Sequence, residues 1–106
     1  MSLVAPYKKL GAQVVEPFSP YPLGDANLRH AIDIIRGDYV VIGGVDQVNV
    51  LQKGTREQVR QATLETLDAG KKNGPFIIQS ADFLEYNTPV ENVEEFVATA
   101  LQHAAY

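Results

Sequence analysis

Polar side chains that could do chemistry sit at the ends of three apolar runs of this sequence. They are Glu16, Asp46, Gln47, Ser80 and Asp82. Carboxylates brought together at one edge could hold a metal ion, exchange protons with a ligand or bind a cationic group. Asp is also a common turn and helix-capping residue, so a purely structural role for each acid stays open. We expect these five side chains to bind a small-molecule substrate, and we expect no metal site.

The central apolar run, residues 39–45, predicts a strand that is buried on both faces. Its residues show no polar alternation, which is typical of strands in parallel sheets. The run contains Gly43 and Gly44, where the backbone can turn or be approached closely. These glycines lack the G-x-G-x-x-G spacing of a dinucleotide site. We therefore expect no nucleotide cofactor. We also expect no cofactor of another kind.

Two further runs predict strands near residues 13–18 and 75–80, beside the central one. In the first, Glu16 is expected to end the strand, because Pro17 closes it. Each strand is followed by a helical pattern, so the order is β-α-β-α-β-α. Such spacing is compatible with right-handed crossovers and parallel strands. The carboxyl ends of the strands would then share one rim, which gathers the five polar residues.

Local patterns predict where the helices begin. Asp25 and Asn27 suit the start of a helix that ends at Gly37, and Pro6 starts a shorter one to Leu10. Thr55 with Gln58 makes a capping box for a helix that reaches about Ala69, with its buried face at Val59, Thr63, Thr66 and Leu67. For the last helix, Thr88 is expected to be the N-cap and Pro89 the first helical residue. Its apolar stripe comprises Val93, Phe96, Val97, Ala100, Leu101 and Ala104, while His30 and His103 are expected to face solvent.

Composition points to one ordinary globular domain spanning residues 1–106. Apolar residues make up 45% and charged residues 21% of the chain. The net charge of −4 argues against nucleic acid or an anionic membrane as a partner. No cysteine is present, so disulfides and thiolate metal sites are excluded, and a cytoplasmic location is expected.

Several short motifs, in order, resemble the uroporphyrinogen decarboxylase superfamily. Residues 42–46 (IGGVD), Leu51 and residues 54–59 (GTREQV) resemble its "GGID … L … GTPEEV" segment. Residues 74–78 (GPFII) and 88–93 (TPVENV) resemble its "GG[FY]IL … TPxEN[IV]" ending. Residues 24–26 (GDA), which follow a proline-rich loop, also fit. The resemblance spans about residues 8–106.

The resemblance implies a (β/α)8 barrel whose site lies at the carboxyl ends of the strands. This chain resembles only the last three βα units, or three-eighths of that barrel. Members of the superfamily include cofactor-free porphyrinogen decarboxylases and zinc-dependent methyltransferases that use cobalamin or corrinoid. This chain departs from both patterns. Asp82 occupies the position of the methyltransferases' cysteine, and Ala81 and Asp82 lie where the decarboxylases have a histidine nearby. The resemblance therefore implies a tetrapyrrole or a methyl donor as substrate, without deciding between the two reactions.

Three functions remain open at this point. The first is a truncated member of the superfamily that supplies part of a lyase or methyltransferase site and is inactive alone. The second is a non-enzymatic α/β module for binding or assembly, and the third is a complete small enzyme of another family. A three-stranded sheet with barrel curvature would expose Val14, Val40, Ile42 and Ile77 on its second face, and its outer strands would have free edges. We therefore expect self-association into a homo-oligomer.

Overall fold

A computed structural model describes residues 14–18, 40–71 and 75–104 of the chain. The strands are β1 (Val14–Phe18), β2 (Val40–Val45) and β3 (Phe76–Ser80). The helices are a π-helix (Gln47–Gln52), α1 (Arg56–Gly70) and α2 (Val90–His103). The expected helices at residues 6–10 and 25–36 lie outside the described residues, so three complete βα units are not seen.

The three strands form one sheet in the order β1-β2-β3, and both neighbouring pairs are parallel. Between β2 and β3 the register runs without a break from Val41 opposite Phe76 to Val45 opposite Ser80. The pairing of β1 with β2 is irregular between Val15 and Phe18. The predicted strand positions, directions and order are confirmed, and the fold is α/β with a parallel sheet.

The core lies between the sheet and the helices. Val45, Leu51 and Val59 are buried together there, and Ile78 and Phe96 pack against them. The sheet's second face is less well covered, because Ile77 is 52% exposed. Val40 and Ile42 on that face are half-buried. The expected exposure of the second face is thus strong at Ile77 and partial at the other two, and the side chain of Val14 is outside the described set.

Helix α1 begins as its sequence predicts. The Thr55 hydroxyl accepts a hydrogen bond from the backbone nitrogen of Gln58 at 3.2 Å. In return, Gln58 Oε1 accepts one from the backbone nitrogen of Thr55 at 2.8 Å. Val59, Thr63 and Leu67 are buried on one face, while the predicted fourth member of that face, Thr66, is half-buried. The capping box and the apolar face are therefore sufficient to locate this helix.

The predicted start of α2 is wrong by one residue. Pro89, with an extended ψ of 133°, is the N-cap, and the first helical residue is Val90. The carbonyl of Pro89 accepts from the nitrogens of Asn92 and Val93. Thr88 lies one residue too early to cap the helix, and its hydroxyl instead donates to the Glu85 carbonyl at 2.6 Å.

The predicted inner face of α2 is also partly wrong. The buried residues are Asn92 and Thr99, whereas Val97 is half exposed and Leu101 is 79% exposed. Asn92 Nδ2 donates to the carbonyls of Leu51 and Gly54, both at 2.9 Å, and these two bonds hold the helix in this rotation. His103 is exposed, as expected.

Gly44 is needed because two backbones approach each other closely. The strand does not break at the two glycines but continues through them to Val45. A Cβ on Gly44 would lie 2.5 Å from the Ala81 nitrogen and 2.6 Å from its Cα. The absence of a side chain thus lets the segment after β3 lie against β2.

We expect Gly44→Ala to lower the free energy of unfolding by about 1–3 kcal/mol, because main chain cannot move aside as a side chain can. Urea unfolding measures this loss. Gly70→Ala is the matched control, since the obstacle there is the Phe76 ring. Adding Phe76→Leu to Gly70→Ala should recover part of the control's loss. A Gly44→Ala protein as stable as the wild type would contradict the close approach.

Candidate functional site

The carboxyl ends of β2 and β3 meet at one edge of the sheet. Val45 pairs with Ser80, and the Ala81 nitrogen donates to the Val45 carbonyl at 2.8 Å. The residues that follow the two strands therefore leave the sheet side by side. We call this edge the rim and define it by Asp46, Gln47, Ser80 and Asp82. Four of the five predicted site residues thus come from adjacent positions in the fold.

Glu16 is the exception. The first strand does not end at Pro17 but continues to Phe18, so Glu16 lies inside β1. Its neighbour Val15 pairs with Val41, and Phe18 pairs with Gly43, which places Glu16 level with the middle of β2. The expectation that Glu16 is the last residue of its strand is wrong, because a proline at the edge of a parallel sheet need not end the strand.

Asp46 is buried and its carboxylate is fully engaged within its own loop. It is 4% exposed. Its Oδ1 accepts from the nitrogens of Val48 at 2.9 Å and Asn49 at 2.8 Å, and its Oδ2 accepts from Asn49 Nδ2 at 2.8 Å. Three donors around one buried carboxylate account for its burial, since an unpaired charge there would be costly. Asp46 therefore serves as the N-cap of the π-helix.

The π-helix itself was not predicted. Its wide turn is closed by Leu51 nitrogen donating to the Asp46 carbonyl at 3.1 Å and Lys53 nitrogen donating to the Val48 carbonyl at 3.2 Å. Leu51, which is fully buried, anchors it in the core. The Asp-x-x-Asn spacing of Asp46 and Asn49 is the local pattern that indicates a capped turn here. Single turns of π-helix occur frequently at functional sites.

Gln47 differs from its neighbour in its hydrogen bonding. It is 7% exposed, and its Oε1 is buried without a hydrogen-bond partner among the residues that the structure describes. Ser80 is the last residue of the neighbouring strand β3, and Asp82 follows it. The Ser80 hydroxyl donates to the Asp82 carbonyl at 2.6 Å, and Asp82 Oδ1 accepts from the Phe83 nitrogen at 2.8 Å.

The loop after β3 carries exposed aromatic side chains. Phe83 is 90% exposed and Tyr86 nearly as much. Gln52 Nε2 donates to the Tyr86 carbonyl at 3.0 Å, which ties this loop to the end of the π-helix. Asn87 has a φ of 64°, a left-handed conformation that Asn tolerates better than most residues. The exposed aromatic rings thus stand on a loop that is attached to the rim.

The described residues give no indication of a metal centre. Within ranges 14–18, 40–71 and 75–104, no three His, Asp or Glu side chains gather closely enough to bind an ion. Besides Asp46, the rim comprises the buried amide of Gln47, the half-buried Ser80 and the exposed Asp82. These groups suit hydrogen bonding to an organic ligand.

Comparison with known protein families decides the affiliation of the chain. The family model described as uroporphyrinogen decarboxylase (URO-D) matches residues 3–103. The chain belongs to the uroporphyrinogen decarboxylase family. A search of the curated proteins found no match. The resemblance noted in the motifs is confirmed, and the URO-D match includes every rim residue.

We expect Asp46→Ala to lower the free energy of unfolding by about 2–3 kcal/mol, because the two backbone donors and the Asn49 amide would lose their acceptor. Chemical denaturation measures the change. The control is Asp82→Ala, which removes an exposed carboxylate and should cost less than about 1 kcal/mol. Equal losses in the two variants would refute the structural role of Asp46.

Proposed function

We propose that the chain forms the last three βα units of a (β/α)8 barrel of the URO-D family. In this proposal it supplies the carboxyl-terminal part of a site for a tetrapyrrole or a methyl donor. The observation that carries the proposal is the parallel sheet in sequential order, with Gln47, Ser80 and Asp82 grouped at the carboxyl ends of two adjacent strands. That end of the strands is where barrel enzymes of this kind bind ligands.

The proposed roles of the rim residues follow from their hydrogen bonds. Asp46 holds the π-helix in place and acts on the ligand only through that loop. Gln47, Ser80 and Asp82 contact the ligand, a tetrapyrrole in a carboxy-lyase or a methyl donor in a related methyltransferase. Barrel sites draw residues from several strands, and the described residues provide three, so in this proposal the chain needs further strands for catalysis. We place this function in the cytoplasm, where a chain without cysteine suits the reducing conditions.

We expect the isolated chain to bind a carboxylated porphyrinogen at the rim without decarboxylating it. Amide chemical shifts of residues 45–49 and 80–83 should change on titration, and release of carbon dioxide should equal the buffer background. Asp82→Asn should weaken binding several-fold, whereas Glu94→Gln, an equal change of charge on the exposed side of α2, should not.

Two results would contradict this proposal. Turnover above background would show that three strands suffice for catalysis. Shift changes confined to the outer faces of the helices would show that the rim is not the binding site. The third possibility raised by the sequence, an enzyme of another family, is excluded by the URO-D match.

A second candidate function, an assembly module, is favoured by the number of large apolar side chains that are exposed in β3, in the loop after it and in α2. They include Ile77, Phe83, Tyr86, Val90, Val97 and Leu101. The outer face of α1, in contrast, carries Arg56, Glu57, Arg60, Gln61, Glu65 and Asp68. Exposed apolar surface of this kind is typical of an interaction site when it is contiguous. In this alternative a second copy of the chain covers the exposed apolar side chains of α2.

We expect light scattering at micromolar concentration to show an oligomer that Leu101→Lys weakens, because a charge would be buried in the contact. Gln61→Lys on α1 is the control with the same charge change, and it should leave the assembly intact. A monomeric wild-type chain at all concentrations would exclude the assembly function.

Neither α1 nor α2 has the length and apolar character to span a membrane, so the described residues include no membrane span.

A further inference from the structure

The amide of Gln47 is the least well satisfied polar group of the rim. Its side chain is 93% buried, and Oε1 has no donor within reach in the described part of the chain. Most buried polar side-chain atoms in proteins have a partner, so an exception calls for an explanation. The adjacent Asp46 shows that this loop can satisfy a buried acceptor completely, since its carboxylate receives three hydrogen bonds.

The position of Gln47 relates it to the ligand-facing edge. Val45 pairs with Ser80, so Gln47 and Asp82 each stand two residues beyond paired positions of β2 and β3. Both therefore follow the carboxyl ends of paired strands. The main chain at Gln47 is held by the Asp46 cap on one side and by buried Leu51 on the other. The main chain that carries this acceptor is therefore held in place before a ligand binds.

We infer that Gln47 is a specificity-determining residue of the rim, and that its Oε1 accepts a hydrogen bond from an N–H or O–H group of the ligand. This inference rests on the proposed function and names the chemistry of the contact. The terminal torsion of a Gln side chain is soft, so the buried Oε1 can turn towards an arriving donor. A ligand in which that N–H or O–H group is methylated offers no hydrogen to Oε1 and leaves it unpaired. The contact thus selects for a hydrogen-bond donor.

The test compares two probes that differ only in their donors. One is a water-soluble dipyrromethane with propionate side chains, and the other is its N,N′-dimethyl derivative, which has lost both N–H groups. Each is titrated into the ¹⁵N-labelled full chain, and the shifts of the Gln47 side-chain amide and of the Ser80 and Asp82 backbone amides are followed. We expect the N–H probe to bind about tenfold more tightly at the rim.

Variants then separate binding from stability. Gln47→Leu should remove the preference for the N–H probe while leaving the thermal midpoint unchanged or higher, because it replaces an unpaired buried acceptor with an apolar group. Gln47→Asn keeps a neutral amide acceptor without burying a charge, and it should keep part of the preference. Gln102→Leu, at an exposed position of α2, is the control and should bind like the wild type.

The outcomes distinguish the inference from the function on which it rests. Equal rim binding of the two probes, or a preference that survives in Gln47→Leu, would overturn the role of Gln47 and leave the proposed function standing. Absence of any rim shift with either probe would overturn both. A wild-type preference that is lost in Gln47→Leu and kept at least in part in Gln47→Asn would support the inference.

Discussion

The hydrogen bonding of the Asp46 carboxylate is the constraint on which the rest of the described structure depends. Its three donors fix the π-helix at the end of β2. The π-helix places Leu51 in the core, beside Val45 and Val59. The carbonyl of Leu51, with that of Gly54, then receives Asn92 of α2. The loop that Asp46 holds therefore contacts both α1 and α2. The two buried polar side chains in this series, Asp46 and Asn92, each have hydrogen-bond partners.

Features that depend on neighbouring residues could be predicted from the sequence, and features that depend on distant contacts could not. The capping box of Thr55 and Gln58 needs only four residues, so its prediction is confirmed. The unbroken apolar runs likewise predict the three parallel strands. The rotation of α2, however, is set by Asn92 reaching carbonyls about forty positions earlier in the chain. An apolar stripe cannot reveal such a bond, which is why Val97 and Leu101 were wrongly expected to be buried.

The candidate site shows the same division. That the polar residues after β2 and β3 would meet follows from parallel strands, and the pairing of Val45 with Ser80 confirms it. The end of β1 was misplaced because Pro17 reads as a stop, although a strand at a sheet edge can include proline. The π-helix was missed because its wide turn depends on the carboxylate geometry of Asp46 and has no apolar period of its own. The sequence thus indicated which residues lie together at the rim, but not which of their polar atoms already have hydrogen-bond partners within the protein.

The two adjacent rim residues Asp46 and Gln47 differ in whether their acceptor oxygens have hydrogen-bond partners. Asp46 carries the charge, and charge is commonly where a ligand contact is sought, yet its oxygens are already occupied by its own loop. Gln47 is neutral and buried, and its acceptor is the one that lacks a partner among the described side chains. Residue type alone would favour Asp46 as the ligand contact, whereas the hydrogen bonding within the loop favours Gln47. In the role proposed for Gln47, the acid holds the loop in shape and the neutral amide accepts from the ligand, so that ligands would be distinguished by their hydrogen-bond donors rather than by their charge.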